Sequence, residues 1–338
     1  MKFNRAIHLG FVIVFSIFIA IPVLFTILQI EVTPYDPNEK KISLNFKRNF
    51  PLKKDLHKLN WAIIYDLFKK DPLPARVVNG RDGWKFLGDY FSNVIYESKG
   101  IKVFTHEELH QFGKELIRQK EIVEENGGKF YFVMGPNKLT IYDDKLPLSS
   151  MDRKTKLQQV DSLCSAIGID YIDVTTVLQD RKKDIRLYHK TDTHWNDFAG
   201  YLAYQEMVKR IGKDFPDHDI PLYTERDIVI DTLITPMGDL NEMLRLPKSE
   251  ATIEVNLKNP AAFDSIPDQF AVRPGYHNKP NFYESRFESP INDLKFMMMH
   301  DSYIDYVRDY LKVGFGKSIF IWDFHFKEEQ VIKERPDI

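Results

Sequence analysis

Between Gly10 and Ile30 the chain runs GFVIVFSIFIAIPVLFTILQI, 21 residues without a charge. As a helix rising about 1.5 Å per residue, this run matches the roughly 30 Å hydrocarbon core of a bilayer. No second run of this kind follows, so the pattern predicts one membrane-spanning helix over 10–30, with everything after it folding in water. Lys2 and Arg5 precede the run and Glu31 follows it. The positive-inside tendency then puts residues 1–9 in the cytoplasm and the rest of the chain on the far side. The expectation is a single-pass signal anchor in the inner (cytoplasmic) membrane, with the folded part in the periplasm or outside the cell. A cleaved signal peptide fits less well, because the run exceeds the about 7–15 apolar residues of such a core and no small-x-small site cleanly follows. A buried core helix is the remaining alternative.

Residues 31–55 carry prolines, asparagines and several lysines with little periodicity, the composition of a solvated tether. Residues 56–338 show no internal repeat and read as one domain. With 47 basic and 49 acidic side chains the formal charge is −2, which leaves no basic footprint for nucleic acid. At 43% hydrophobic and 28% charged residues the composition is that of an ordinary globular protein able to bury a core. The single cysteine, Cys164, excludes an intramolecular disulfide and any Cys-rich metal cluster.

Within 56–338, short apolar runs alternate with helical patterns. KFYFVM over 129–134 follows a charged helical pattern over 106–125. A strand-like run over 169–174 follows a helix over 153–166. An amphipathic helix over 196–211 starts at Asn196 or Asp197 as its cap. LKFMMM over 294–299 reads as a buried strand, 302–311 as a helix, SIFIW over 318–322 as a strand and 327–334 as a helix. Residues 335–338 read as the start of one more strand. Strands separated by helices predict an α/β fold, a parallel sheet flanked by helices, whose sites form at the carboxyl ends of strands. The proline-rich stretch over about 215–290 breaks this rhythm and reads as a β-rich insertion beside the core.

Two segments carry residue types suited to chemistry: HKTDTHWND over 189–197 and MMMHDSYIDY over 297–306. Asp192 and His194 stand two apart, which in an extended backbone puts both on one face, where the carboxylate steadies the imidazole. Ser302 follows a buried strand and opens a helix, where a hydroxyl is exposed and helix amides face a developing oxyanion. Bland readings stand beside these. Ser302 or Asp301 would serve as a simple helix cap, and Asp192 and His194 as a surface turn. His189, Asp192 and His194 are also metal-ligand types, with His300 and Asp301 as completers, but their spacing is not that of a helical zinc pair, and the expectation is no metal.

The TDTHWN segment over 191–196, the HDSY segment over 300–303 and NGRDGWKFLGD over 79–89 together resemble the alginate O-acetyltransferase family of SGNH-hydrolase-like proteins, the AlgJ/AlgX type. Weaker matches are Gly135-Pro136-Asn137-Lys138 with Ile141-Tyr142, and Gly238-Asp239-Leu240. The resemblance spans about residues 75–338. It implies an SGNH-hydrolase-like domain with a catalytic triad: Ser302 as nucleophile, His194 as general base and Asp192 orienting the imidazole. Where the family often has a small residue before the Asp-Ser pair, this chain has His300. Trp195, Tyr303 and Asn137 are candidate substrate-binding residues. The implied function is extracytoplasmic O-acetylation of a polysaccharide, with no soluble cofactor and with acetyl supplied through a membrane-bound O-acyltransferase partner. A carbohydrate esterase using the same triad and a noncatalytic glycan-binding scaffold are the alternatives.

Overall fold

The structure is a computed structural model that describes residues 8–17, 19–20, 63, 73–146, 148, 151–235, 238–246, 249–270 and 283–338. The chain divides into two compact units, Met1–Pro72 and Leu73–Ile338. In the first unit residues 8–17 are helical and exposed. Most of the span expected over 10–30, and all of the tether over 31–55, lie outside the described residues. Among the described residues no helix is long and apolar enough to cross a membrane.

The second unit opens with an antiparallel pair, β1 (Val77–Asn79) and β2 (Lys85–Leu87). A short helix α1 (Val94–Ser98) leads to α2 (His106–Glu125), β3 (Tyr131–Val133), α3 (Lys138–Ile141), α4 (Lys156–Ile167), β4 (Asp170–Ile172) and α5 (Thr175–Arg181). Local chemistry fixes the two long helices here. Thr105 and Glu108 form a reciprocal capping box on α2, as Thr155 and Gln158 do on α4, satisfying amides that the first turn leaves without partners. Leu116, Val160, Cys164 and Ile169 close a small apolar core beneath these helices.

The central helix is α6 (Asp197–Asp214), capped by the Asn196 side chain, which accepts from the Ala199 N–H. Its face of Phe198, Tyr201, Leu202, Tyr204, Met207, Val208 and Ile211 is buried in the main core. Gly200 lets α6 approach the backbone of Tyr306, since a Cβ there would collide with the Tyr306 carbonyl. An antiparallel pair, β5 (Ile228–Thr235) and β6 (Glu250–Leu257), flanks the short helix α7 (Asp239–Met243). The chain finishes with β7 (Asp264–Ile266), β8 (Glu284–Glu288), β9 (Lys295–His300), α8 (Arg308–Leu311), β10 (Lys317–Trp322) and α9 (Glu328–Glu334).

Two features correct the expected topology. The four-stranded sheet, in the order β7-β8-β10-β9, is mixed: β9 and β10 run parallel, whereas β8 pairs antiparallel to both β10 and β7. The stretch read as an insertion beside the core therefore supplies two strands to the sheet. Residues 335–338, expected to enter one more strand, form no strand but bond to the backbone on both sides. Ile338 accepts from the Met297 N–H (2.8 Å) and Asp337 from the Lys129 N–H (2.8 Å), so the last two residues link β9 to the segment entering the parallel pair β3-β4.

Candidate active site

The site forms where three pieces of chain meet at the carboxyl ends of β3 and β9. The first is the turn over 189–194, which the isolated bridge between Tyr188 and Trp195 closes. It is bent rather than extended, because the Asp192 carboxylate folds back on its own chain: Oδ1 accepts from the backbone N–H of His194 at 2.9 Å. The same oxygen accepts from His194 Nδ1 at 2.7 Å. With the proton drawn to Nδ1 by a carboxylate, Nε2 presents its lone pair, and the Ser302 Oγ lies 2.6 Å from it. Residues 108 apart in sequence thus complete a relay from carboxylate to imidazole to hydroxyl.

The second piece carries Ser302. His300 ends β9 with 8% exposure, its ring edge-on to Trp322 and Phe320, and its Nδ1 donates to the Asp301 carbonyl (2.9 Å). Burial pushes its pKa down to about 4, so it is neutral at physiological pH. Asp301 is exposed and caps the next turn, its carboxylate accepting from the Tyr303 N–H at 2.9 Å. That turn is a 3-10 helix over Ser302–Tyr306, followed by the separate α8, where one continuous helix was expected. The Asp301 carboxylate captures an amide at the start of the turn and tightens it. Among the described residues the Ser302 N–H has no protein acceptor.

The third piece is the start of α7. The Asp239 N–H donates to Asp192 Oδ2 at 2.9 Å, and the Asp239 carboxylate accepts from the Thr193 N–H (2.8 Å) and hydroxyl (2.6 Å). Gly238 permits this approach, since a Cβ there would fall 2.5 Å from the Thr191 carbonyl oxygen. Glu250 on β6 braces the turn from its other side, accepting from the Lys190 N–H (2.8 Å), the Thr191 N–H (3.0 Å) and the Thr191 hydroxyl (2.8 Å).

Electrostatics follow from these contacts. Burial raises the cost of charge on Asp192, but the His194 hydrogen bonds and the Asp239 amide outweigh it and hold the carboxyl well below the usual range. Burial also opposes protonation of His194. The Asp192 bond and charge, with Asp239 and Asp301 behind them, win and set its pKa above the ordinary imidazole value. Asp239 shifts the other way, pushed up by burial and by the Asp192 charge. Asp192, His194 and Asp239 bring ligand-type atoms within 4.8 Å of one another, a grouping able to approach a cation. Their atoms are engaged with each other and with Thr193, so the arrangement serves as a hydrogen-bonded relay.

The remaining expected residues divide. Tyr303 is half-buried beside Ser302, its ring 5.4 Å from that of His194 and 4.9 Å from Trp195. Trp195 is not available to stack on a ligand: it is 3% exposed, and its Nε1 donates to the Tyr303 carbonyl at 3.0 Å. Its amphipathic indole instead anchors the segment that carries the serine. Asn137 caps α3, with Oδ1 accepting from the Thr140 N–H at 3.2 Å. Glu250 had no signal in the sequence beyond being polar, whereas Thr193 stood inside the TDTHWN segment without any indication of its contact to Asp239. Asp239 and Lys138 stood inside short segments already singled out, but nothing in those segments fixed their contacts.

The profile of the family described as "SGNH hydrolase-like domain, acetyltransferase AlgX" matches residues 77–268, a stretch that holds Asp192, His194 and Asp239 and stops before Ser302. No curated protein matches the sequence. PatB1 from Bacillus cereus, in a structure with a sulfonyl adduct, is 16% identical with a TM-score of 0.54, over 77% of this chain and 91% of that one. A second structure of PatB1 is 18% identical with a TM-score of 0.52, over 77% and 92%. The O-acetyltransferase domain of Pseudomonas putida AlgJ is 14% identical with a TM-score of 0.42, over 71% and 78%. At these identities the likeness to PatB1 concerns the fold alone.

Proposed function

Since the chain belongs to the SGNH hydrolase-like family of the acetyltransferase AlgX, we propose that it is a polysaccharide O-acetyltransferase working through Ser302, His194 and Asp192. The observation that carries this reading is the unbroken relay of 2.7 Å from Asp192 to His194 and 2.6 Å from His194 to Ser302. In the first half-reaction the Ser302 Oγ attacks the acetyl carbonyl of a donor while His194 Nε2 takes the hydroxyl proton. The tetrahedral oxyanion is met by the free Ser302 N–H, collapses, and expels the donor's leaving group, which receives the proton from His194. In the second half-reaction His194 deprotonates a sugar hydroxyl, whose oxygen attacks acetyl-Ser302. Collapse leaves the sugar ester, and His194 returns the proton to Ser302. Asp192 holds Nδ1–H and balances the imidazolium charge in both halves.

This cycle uses no soluble cofactor. Acetyl reaches Ser302 from a membrane-bound O-acyltransferase, and the apolar run over 10–30 keeps the domain beside that partner, on the far side of the inner membrane. Tyr303 and Asn137 flank the path of the sugar.

The reading is tested by giving the full chain an activated acetyl ester together with defined oligosaccharides, and following acetyl on sugar and free acetate by mass spectrometry. Transfer to sugar that rises with glycan concentration at the expense of acetate is expected. Acetate release that is indifferent to glycan would replace this reading with an esterase, and no turnover of either kind would leave a glycan-binding scaffold.

A further inference from the structure

Lys138 takes no part in the chemistry above, yet it is buried in the wall of the site with 4% of its surface exposed. Its Nζ donates to the carbonyl oxygens of His189 (3.0 Å), Lys190 (3.3 Å) and Asp192 (2.7 Å). An ammonium has three N–H donors, and here all three go to one short turn. The rings of Trp84 and Phe86 close over the cation, their centroids 5.7 and 5.4 Å from Nζ. The amides of the same turn are held by the Glu250 carboxylate from the opposite side. Lys138 therefore grips three of the carbonyls, and Glu250 two of the N–H groups, of the four residues that end in Asp192.

An ordinary surface lysine would lose little by leaving. This one has shed its hydration, and its acceptors are buried carbonyls that would be stranded without it. We propose that Lys138 is a positioning residue for acyl transfer: by tying the Asp192 carbonyl to the start of α3, it fixes the Asp192 carboxylate against His194, and so the aim of Nε2 at Ser302. The inference rests on the reading of Ser302 as the acyl carrier, and its consequence is specific. Losing the ammonium disturbs the orientation of the relay, not the place where the sugar binds.

Lys138→Met keeps the length of the stem and removes all three donors. In the full chain assayed with an activated acetyl ester, the variant is expected to fold, to lose kcat by ~100-fold and to hold KM within about twofold of wild type. The proton NMR resonance of His194 Nδ1–H, moved far downfield by its bond to Asp192, is expected to vanish or shift. A folded Lys138→Met protein with wild-type kcat and an unmoved resonance overturns the proposal. If that variant does not fold, Lys138→Gln, which keeps two N–H donors, is judged by the same two readouts. Failure of the function reading looks different. A wild-type protein that shows the downfield proton, and loses it in Lys138→Met, but never acetylates Ser302 would remove the transferase and keep the positioning role.

Discussion

His194 settles between two opposed influences, and the sign of the balance has a measurable consequence. Burial favours the neutral ring, while the Asp192 hydrogen bond and charge favour the imidazolium and prevail. A general base must be neutral, so the rate of Ser302 acylation is expected to rise with pH. Its midpoint should lie above the ordinary imidazole pKa of about 6.5. In Asp192→Asn only the burial effect and weaker distant charges remain. The midpoint should then move to lower pH, and the plateau rate should fall on the order of 10⁴-fold, as for comparable carboxylate-to-amide changes in serine triads. Single-turnover rates across pH for both proteins check this, and a midpoint that stays in place in Asp192→Asn contradicts the assignment of Asp192. These three residues were legible in the sequence because serine after a buried strand, and an Asp-x-His pair, are local patterns. Their supporting residues were not. Lys138 and Glu250 are charged side chains that ordinarily face water, and only the fold shows that each is paid for by hydrogen bonds to one turn.

Among the elements, those with strong periodicity or a local cap were readable in advance. The α2 helix spans the expected 106–125, and Asn196 caps α6 as anticipated. The β8 strand was missed for a physical reason: Glu284-Ser285-Arg286-Phe287-Glu288 reads as surface, yet Glu284 and Arg286 are buried. They are tolerated inside because they satisfy each other. The Arg286 guanidinium bonds Glu284 on its own strand, and its Nη2 donates to Glu334 Oε1 at 2.9 Å on α9. This cluster ties the sheet to the helix that delivers Asp337 and Ile338 to β9. Glu334→Ala leaves Arg286 short of a partner in the interior, and the expected loss is about 3–5 kcal/mol of unfolding free energy. Urea denaturation measures it, and a variant as stable as wild type would show that the α9 end of the cluster carries no stabilisation.

For the whole molecule, the alternation of strands and helices gave the α/β class, and the comparisons place the chain in the SGNH hydrolase-like acetyltransferase family. The mixed sheet was not foreseeable, because an antiparallel strand joining from a proline-rich stretch leaves no periodic trace. What the fold achieves is the meeting of two segments 108 residues apart, with α6 packed beneath the serine turn through Gly200 and α7 delivered to Asp192 through Gly238. The central claim is that this meeting turns Ser302 into an acyl carrier. It is tested most directly by mixing the full chain with an activated acetyl ester, quenching in acid and mapping acetyl groups by peptide mass spectrometry. The account predicts acetyl on Ser302, its formation sharply slowed in His194→Ala and absent in Ser302→Ala. Acetyl that accumulates on another residue, or forms on Ser302 at the same rate without His194, would contradict it.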